Sequence, residues 1–357
     1  MKHAAGPALG LLIVLTACGA ATAPSAGSGA PALASSSAQA QPGQLTLKEI
    51  ASEPIGQDTI EALAFSPDGK RLAVGAADGV IAVYSLEASQ TEEAVKVKKL
   101  HAGFTSSIAW SPSGDRVLSA AADGAVRIWD AQTMQPTQSF NAYPATHPAA
   151  VWSPDGQKVA VAQGRDFVQL HDLDGGGDPQ TFNLPGTTRA LLWLPSGEIA
   201  GSDLKGKVAF FQQGKADPVR AYEPATSHKA VNSLSLSPDG QLLAIGYDDG
   251  AIILIDPTTA KQVREFPKGR SVGNVAWSPD GKVLAVSSIE FAVTFFDAQG
   301  KQLAKLDVGY DMNGVSWSPD GRLVAAASDD HTFKIWQASP PRTPATQLPT
   351  PPSYMGR

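Results

Sequence analysis

The chain has 357 residues, a formal net charge of −6 at pH 7 and a single cysteine. Its lysine and arginine residues are scattered and form no basic stripe, which argues against sequence-independent binding of nucleic acid. One cysteine excludes an intramolecular disulfide and a cysteine-based metal site, so strands and their packed faces must hold the fold.

The first 17 residues have the pattern of a targeting segment. A basic start at Lys2 precedes a short apolar core, Leu9–Leu15, which is too short for a permanent transmembrane helix. The core ends in Leu15-Thr16-Ala17-Cys18, which resembles a bacterial lipobox. The resemblance implies cleavage before Cys18 and a diacylglyceryl group on its thiol. The alternative is an ordinary secretory signal cleaved near Ala20 with an incidental cysteine.

A lipobox predicts a protein anchored to a bacterial membrane through Cys18 and facing the periplasm or the cell exterior. Residue 19 is Gly and not the Asp that, by analogy with the family, would favour retention in the inner membrane of a Gram-negative cell. A location in the outer membrane is therefore one of the alternatives. Residues 18–43 are mostly Ala, Ser, Gly and Pro and cannot bury a core, so we predict a flexible tether.

One phrase, Ser-Pro-Asp-Gly or a close variant, recurs seven times after the tether. The copies begin at Ser66, Ser111, Ser153, Leu194, Ser237, Ser278 and Ser318. They are separated by 45, 42, 41, 43, 41 and 40 residues. A nearly fixed period of this size is typical of radial repeat folds.

The sequence of each repeat predicts four strands. An alternating run ends in a large residue before the Ser-Pro-Asp-Gly turn, at Phe65, Trp110, Trp152, Trp193, Leu236, Trp277 and Trp317. A second apolar strand, a turn such as Asp-Gly, a third strand and a more polar fourth strand follow. Seven such units predict an all-β fold, a seven-bladed β-propeller of four-stranded antiparallel blades.

The ends of the repeat region predict how the ring closes. Gln44–Ile50 alternates like a strand ahead of the first unit, whereas the last unit stops after its third strand at Trp336. We therefore expect the N-terminal strand to complete blade seven, which hides two exposed edges. The propeller is predicted over residues 44–337, and residues 338–357 are predicted to be a Pro-rich disordered tail.

The phrase Val117–Asp130, V-L-S-A-A-A-D-G-A-V-R-I-W-D, resembles the WD-repeat family, and the resemblance covers residues 44–337. Ser-Pro-Asp-Gly alone also occurs in propellers of the periplasmic TolB type, but the Asp-Gly-x-Val-x-Ile-Trp-Asp phrase favours the WD type. The family's structural hydrogen-bond relay matches unit two alone in full. There it would join His101, Ser119, Asp123 and Trp129.

No catalytic, metal or cofactor site is predicted. Gly201–Lys207 matches the first seven places of a phosphate loop, but Val208 stands where Ser or Thr would hold Mg²⁺ and a strand follows. No nucleophile–base motif is visible. The WD resemblance implies a protein-interaction scaffold. Two alternatives remain: a binder of a glycan or small molecule, and an enzyme with its site at the mouth of the central channel.

In the WD family, the loops that enter the blades and the turns between second and third strands share one face. Its matching residues here are the candidate contacts of a protein partner whose identity the sequence does not give. They are Phe104, Tyr143, Arg189, Tyr247, Asp248, Arg270, Phe291, Tyr310 and Asp329. Aromatic and Arg side chains often anchor interfaces, and the carboxylates suggest a partner with basic patches. We expect a monomer.

Overall fold

The structure is a computed structural model that describes residues 45–55, 58–86, 95–141, 148–162, 167–175, 177–184, 186–289 and 291–339. These residues form 28 strands and no helix. The predicted targeting segment and tether, with Cys18, and nearly all of the predicted tail lie outside the described residues.

The strands are grouped into seven antiparallel sheets of four. The first strand is β1 (Thr46–Pro54). Blade one contains β2 (Ile60–Phe65), β3 (Arg71–Ala76), β4 (Val80–Ser85) and β5 (Val95–Lys99). Blade two contains β6 (Thr105–Trp110), β7 (Arg116–Ala121), β8 (Ala125–Asp130) and β9 (Pro136–Asn141). Blade three contains β10 (Ala150–Trp152), β11 (Lys158–Ala162), β12 (Phe167–Asp172) and β13 (Gln180–Asn183).

The remaining blades repeat this order. Blade four contains β14 (Leu191–Trp193), β15 (Ile199–Ser202), β16 (Val208–Phe211) and β17 (Arg220–Tyr222). Blade five contains β18 (Val231–Leu236), β19 (Leu243–Tyr247), β20 (Ile252–Asp256) and β21 (Lys261–Glu265). Blade six contains β22 (Val272–Trp277), β23 (Leu284–Ser288), β24 (Ala292–Phe296) and β25 (Gln302–Asp307). Blade seven contains β26 (Met312–Trp317), β27 (Leu323–Ser328) and β28 (Thr332–Ser339).

The ring closes through the N-terminal strand, as the sequence predicts. Strand β1 pairs antiparallel with β28 and becomes the fourth strand of blade seven. The innermost strand of each blade contacts that of the next, and β26 contacts β2. The all-β, seven-bladed, four-stranded architecture is confirmed.

The closing strands are longer than predicted. Strand β1 continues past Ile50 to Pro54, and β28 continues past Trp336 to Ser339. A bulge lies between Glu49 and Ala51, and the Ile50 side chain inside it is 52% exposed. The extra residue breaks the alternation of faces on which the sequence pattern depends, although the pairing resumes beyond it.

Large residues at the ends of the innermost strands join neighbouring blades. The Trp110 indole Nε1 donates a hydrogen bond to the Ala64 carbonyl of blade one at 2.9 Å. Trp152 donates in the same way to Ala109 at 3.3 Å, and Trp317 to Ala276 at 3.2 Å. Each carbonyl belongs to the smaller residue that precedes the large one, so the bulky face of one blade packs on the flatter face of its neighbour.

Candidate functional site

One edge of the ring carries both the loops that enter the blades and the turns between second and third strands. Backbone hydrogen bonds join loop and turn within a blade, from Ala122 N to Phe104 O at 2.8 Å and from Asp248 N to Ala230 O at 2.9 Å. The same bond runs from Asp329 N to Asp311 O at 3.0 Å in blade seven. We call this edge the loop face, and it contains those predicted partner-contact residues that the structure describes.

The predicted relay of blade two lies beneath the loop face, and the structure brings its four members together. His101 Nδ1 lies 3.1 Å from the Asp123 carboxylate and Nε2 lies 2.7 Å from Ser119 Oγ. The Trp129 indole donates to Ser119 Oγ at 2.8 Å. A neutral imidazole satisfies every polar group: Trp129 donates to Ser119, Ser119 to Nε2, and Nδ1 to Asp123.

The charges of the relay are set by burial and by extra donors. Burial lowers the pKa of His101, and the Asp123 carboxylate only partly opposes this. Burial by itself would raise the pKa of Asp123, but hydrogen bonds from the Ala102 and Ala125 amides and from Arg127 bring it to about 2. The Arg127 guanidinium lies 2.9 Å from that carboxylate. The arrangement therefore favours a neutral His101 beside an ionised Asp123.

Blade five contains a second histidine–aspartate pair that the sequence analysis missed. His228 Nδ1 lies 3.0 Å from Asp249 Oδ2, and Nε2 lies 3.0 Å from Thr226 Oγ1. The Lys268 ammonium group lies 2.8 Å from the same carboxylate. In blade two 22 positions separate His from Asp, whereas here 21 do. Ile245 and Ile255 replace the Ser and Trp of the motif, so only the Asp-Gly turn could have signalled the pair.

The prediction that Tyr247 contacts a partner is wrong. Its side chain is fully buried, with its ring 4.8 Å from the His228 ring. Its hydroxyl donates to the Gly206 carbonyl of blade four at 3.1 Å. Tyr247 therefore supports the blade four–blade five junction and presents no surface to a partner.

Among the described residues of the loop face, three exposed apolar side chains lie on segments that adjoin blade six, whereas Leu204, 43% exposed, lies in the turn between second and third strands of blade four. Phe291 is 51% exposed, Tyr310 is 52% exposed and the neighbouring Ile289 is 43% exposed. Val308, two residues before Tyr310, donates its amide to the Phe291 carbonyl at 2.7 Å, which brings the two segments together. We call Ile289, Phe291 and Tyr310 the aromatic patch. Phe104 is half-buried, and Tyr143 lies outside the described residues.

The backbone at Phe291 is unusual for a bulky residue. The turn between second and third strands ends in a glycine with positive φ in blades one, two, four and five. In blade six Phe291 occupies this position at φ 59°, and in blade seven His331 does so at φ 68°. Left-handed backbone costs a residue with a β-carbon about 1–2 kcal/mol. Strain of this kind is concentrated at functional sites.

The polar members of the predicted set are held by neighbours. Asp248 accepts a hydrogen bond from Ser271 at 3.0 Å, and Asp329 accepts one from Asn313 at 2.7 Å. Arg189 donates to Asn232 at 2.7 Å, and burial lowers the pKa of its guanidinium. Arg270 is exposed. Most of these polar side chains therefore help to fix the loops.

An acidic seam lies where blade seven meets blade one. Asn313 donates both to the Ile60 carbonyl of blade one at 3.0 Å and to Asp329. Burial raises the pKa of the adjacent Glu61 to about 7, and the Asp329 carboxylate adds to the rise. Burial also raises the pKa of Asp311, again with a contribution from Asp329. The seam therefore loses negative charge as the pH falls through neutrality.

Among the residues that the structure describes, no group of three or more His, Cys, Asp or Glu side chains is placed to hold a metal ion. No helix there has the length and apolar character that crossing a membrane requires.

Comparisons with known families agree with the fold. A family model described as "WD domain, G-beta repeat" matches residues 93–130 and 300–337. A second, described as "Anaphase-promoting complex subunit 4 WD40 domain", matches residues 44–106 and 205–272. No curated protein is similar enough to the chain to count as a match. The family matches and the seven four-stranded blades together support a WD-repeat propeller.

Proposed function

We propose that this propeller is a non-catalytic protein-interaction scaffold, anchored to a bacterial membrane through lipidated Cys18 and exposed outside the cytoplasm. WD-repeat propellers typically act as scaffolds and bind protein partners. The observation that carries the proposal is the aromatic patch, since exposed aromatic side chains that cluster on one face are typical of protein-binding surfaces.

The backbone of the patch strengthens this proposal. A glycine at position 291 would adopt the left-handed conformation without strain, as glycine does in four other blades. Phenylalanine there has a conformational cost and leaves about half of its side chain in water. Neither property stabilises the isolated fold. Both are explained if the ring is kept for contact with a partner.

The anchor and the location depend on the sequence alone. The apolar core before Cys18, the position of that cysteine directly after it and the Ala/Ser/Gly/Pro composition of residues 19–43 support a tethered lipoprotein. Replacing Cys18 with Ser should move the protein from the membrane fraction to the soluble or unprocessed pool. A Cys18→Ser variant that fractionates like the wild type, with no labelled lipid on the wild-type protein, would contradict the anchor.

The interaction role can be tested with two substitutions in the patch. Phe291→Gly and Tyr310→Ala should each weaken capture of proteins from detergent extracts of native membranes, measured by quantitative mass spectrometry. Phe291→Gly should also raise the free energy of unfolding by about 1 kcal/mol, because it removes backbone strain. A gain of stability combined with a loss of binding would separate function from folding.

Val263→Ala is the matched control, because Val263 is also an exposed apolar residue, at 52%, but lies on the outer strand of blade five. It should leave the captured proteins unchanged. If Val263→Ala and the patch substitutions weaken capture equally, or if none of them changes it, the loop face at blade six is not the interaction surface.

A further inference from the structure

The aromatic patch adjoins the junction between blades six and seven, and the Pro-rich end of the sequence begins at blade seven. Tyr310 lies in the connection between β25 of blade six and β26 of blade seven. Residues 340–357 follow directly after β28, the third strand of blade seven, and we call them the tail segment. The tail segment is therefore attached to a blade that adjoins the patch.

The tail segment starts at the edge opposite the loop face, but it is long enough to reach that face. The Ala338 amide donates to the Arg322 carbonyl, next to a Ser-Pro-Asp-Gly turn, at 2.7 Å, so β28 ends at the opposite edge. The eight residues of β28 span about 26 Å between the two edges. Ten residues in an extended polyproline II conformation cover about 31 Å. A tail segment of that form therefore reaches the level of the patch at about Pro349.

The part of the tail segment that reaches this level has the composition of a ligand for aromatic side chains. Residues 349–354 are Pro-Thr-Pro-Pro-Ser-Tyr, with the spacing Pro-x-x-Pro. Segments of this type dock on surfaces lined with aromatic rings, because a preformed polyproline II helix loses little conformational entropy on binding. Phe291 and Tyr310 offer two such rings, each about half exposed. The chemistry of the patch and that of residues 349–354 therefore match.

The carboxylates beside the patch match the charge of the tail segment. Asp311 directly follows Tyr310, and its Oδ1 atom has no hydrogen-bond partner among the residues that the structure describes. Burial raises the pKa of Asp311 and the Asp329 carboxylate adds to the rise, so the two carboxylates repel each other. The tail segment contains two arginines and no Asp or Glu. Arg357, three residues beyond the Pro-rich stretch, therefore has complementary charge.

We propose that residues 349–354 bind the aromatic patch of the same molecule, with Arg357 beside Asp311 and Asp329, and that a protein partner must displace them. The tail segment is then an autoinhibitory ligand of the interaction surface. A tethered ligand has an effective concentration in the millimolar range, so weak contacts are sufficient to hold it. The docking stands on its own, whereas the inhibition rests on the scaffold role proposed above.

Disulfide trapping in the full-length chain tests the docking. Cys18→Ser removes the native thiol, and Ile289→Cys with Ser353→Cys places one thiol in the patch and one in the tail segment. The control combines Ser353→Cys with Ile50→Cys, because Ile50 is also an exposed apolar residue, at 52%, and lies on β1 next to β28. An undocked tail segment would meet position 50 at least as often, since that position is closer to its attachment point. With diamide as the oxidant, position 289 should cross-link within one molecule about tenfold faster than position 50.

Further substitutions show which groups hold the tail segment. Tyr310→Ala and Phe291→Gly should each slow cross-linking at position 289 to about the rate of the control pair. Arg357→Gln should slow it about threefold, as should a raised salt concentration. Arg342→Gln removes the same charge only three residues beyond Ser339, too far from the loop face, and should change nothing. Equal rates at positions 289 and 50 would overturn the docking. So would a disulfide that forms between two molecules, because the occupant of the patch would then be a second copy of the chain.

Capture of native partners tests the inhibition and separates it from the scaffold role. The trapped protein should capture about tenfold less from membrane extracts than the same sample after reduction with dithiothreitol. Equal capture by the two forms would overturn the inhibition. If position 289 shows no selective trapping but Phe291→Gly still loses the native partners, the tail proposal is wrong and the scaffold role stands. If trapping is selective but neither trapping nor the patch substitutions change capture, the tail segment binds the patch and the interaction face proposed above is wrong.

Discussion

Blades two and five tie the loop that enters the blade to the turn between second and third strands in different ways. Blade two uses a buried chain of four side chains, from Trp129 through Ser119 and His101 to Asp123. Blade five keeps the histidine and the aspartate, but Thr226 of the loop itself takes the position of the serine as the partner of Nε2. The histidine–aspartate contact is thus the common requirement, and the partner of Nε2 is variable.

The two blades also differ in how far the other polar groups of each relay are exposed to water. In blade two Ser119 is fully buried and Trp129 is 3% exposed, so water cannot replace a lost partner. In blade five Thr226 is exposed and Lys268 is half-exposed, so both can return to water. The same chemical contact should therefore stabilise blade two more than blade five.

The largest expected difference is between the two histidines. His101→Ala should lower the free energy of unfolding by about 1–3 kcal/mol, because the fully buried Ser119 loses a partner that water cannot supply and Asp123 loses one of its donors. His228→Ala should lower the free energy of unfolding by about 1 kcal/mol, because water can hydrogen-bond to Thr226 when the imidazole is removed. Chemical denaturation of both variants and the wild type measures the two values.

The stability loss should come without a selective loss of function. Partner capture at a temperature where His101→Ala remains folded should match that of the wild type. An unchanged stability of His101→Ala combined with lost capture would make His101 a contact residue and would contradict the structural role of the relay.

This comparison also shows what the sequence could and could not predict. The period of the Ser-Pro-Asp-Gly turns predicts the ring, because each copy ends an inner strand in a large side chain, and those of Trp110, Trp152 and Trp317 reach the smaller residue of the preceding blade. The relay of blade two was predictable because all four of its residue types are present. The pair in blade five was not, since its spacing differs by one and its third partner lies in the loop.

Tyr247 shows the same limit on a single residue. Its place before the turn suggested exposure, but its environment is set by His228 of its own blade and by Gly206 of blade four. Contacts across blades depend on the packing of the finished ring. No local pattern in the chain encodes them.

Removing the hydroxyl group that bonds to each histidine should have a smaller effect on the free energy of unfolding. Ser119→Ala should lower the free energy of unfolding by about 1 kcal/mol or more, because Trp129 Nε1 and His101 Nε2 both lose their partner in a dry environment. Thr226→Ala should change it by no more than about 0.5 kcal/mol, as is usual for exposed positions. Equal effects of the two substitutions would show that the burial difference does not set the strength of the relay.

The smallest expected effect is the loss of stability at low pH that results from the lowered pKa of each aspartate. Hydrogen bonds bring the pKa of Asp123 to about 2 in the folded protein, below the value of about 3.9 for aspartate in an unfolded chain. As the pH falls below about 4, the unfolded chain binds more protons than the folded one, so the stabilisation by Asp123 is lost. The lowered pKa of His101 acts in the same direction at higher pH, below about 6.5.

Asp123→Asn should therefore reduce the loss of stability between pH 5 and pH 2.5, by about 1 kcal/mol after allowance for solvent screening.

Hydrogen bonds from Lys268 and His228 also lower the pKa of Asp249, although burial by itself would raise it. Asp249→Asn should nevertheless flatten the pH profile less, because its Lys268 partner is 54% exposed whereas the Arg127 partner of Asp123 is 26% exposed. Thermal unfolding of both variants and the wild type over this pH range measures the slopes. A steeper profile for Asp123→Asn than for the wild type would contradict the sign of the linkage, and a flatter profile for Asp249→Asn than for Asp123→Asn would reverse the order of the two blades.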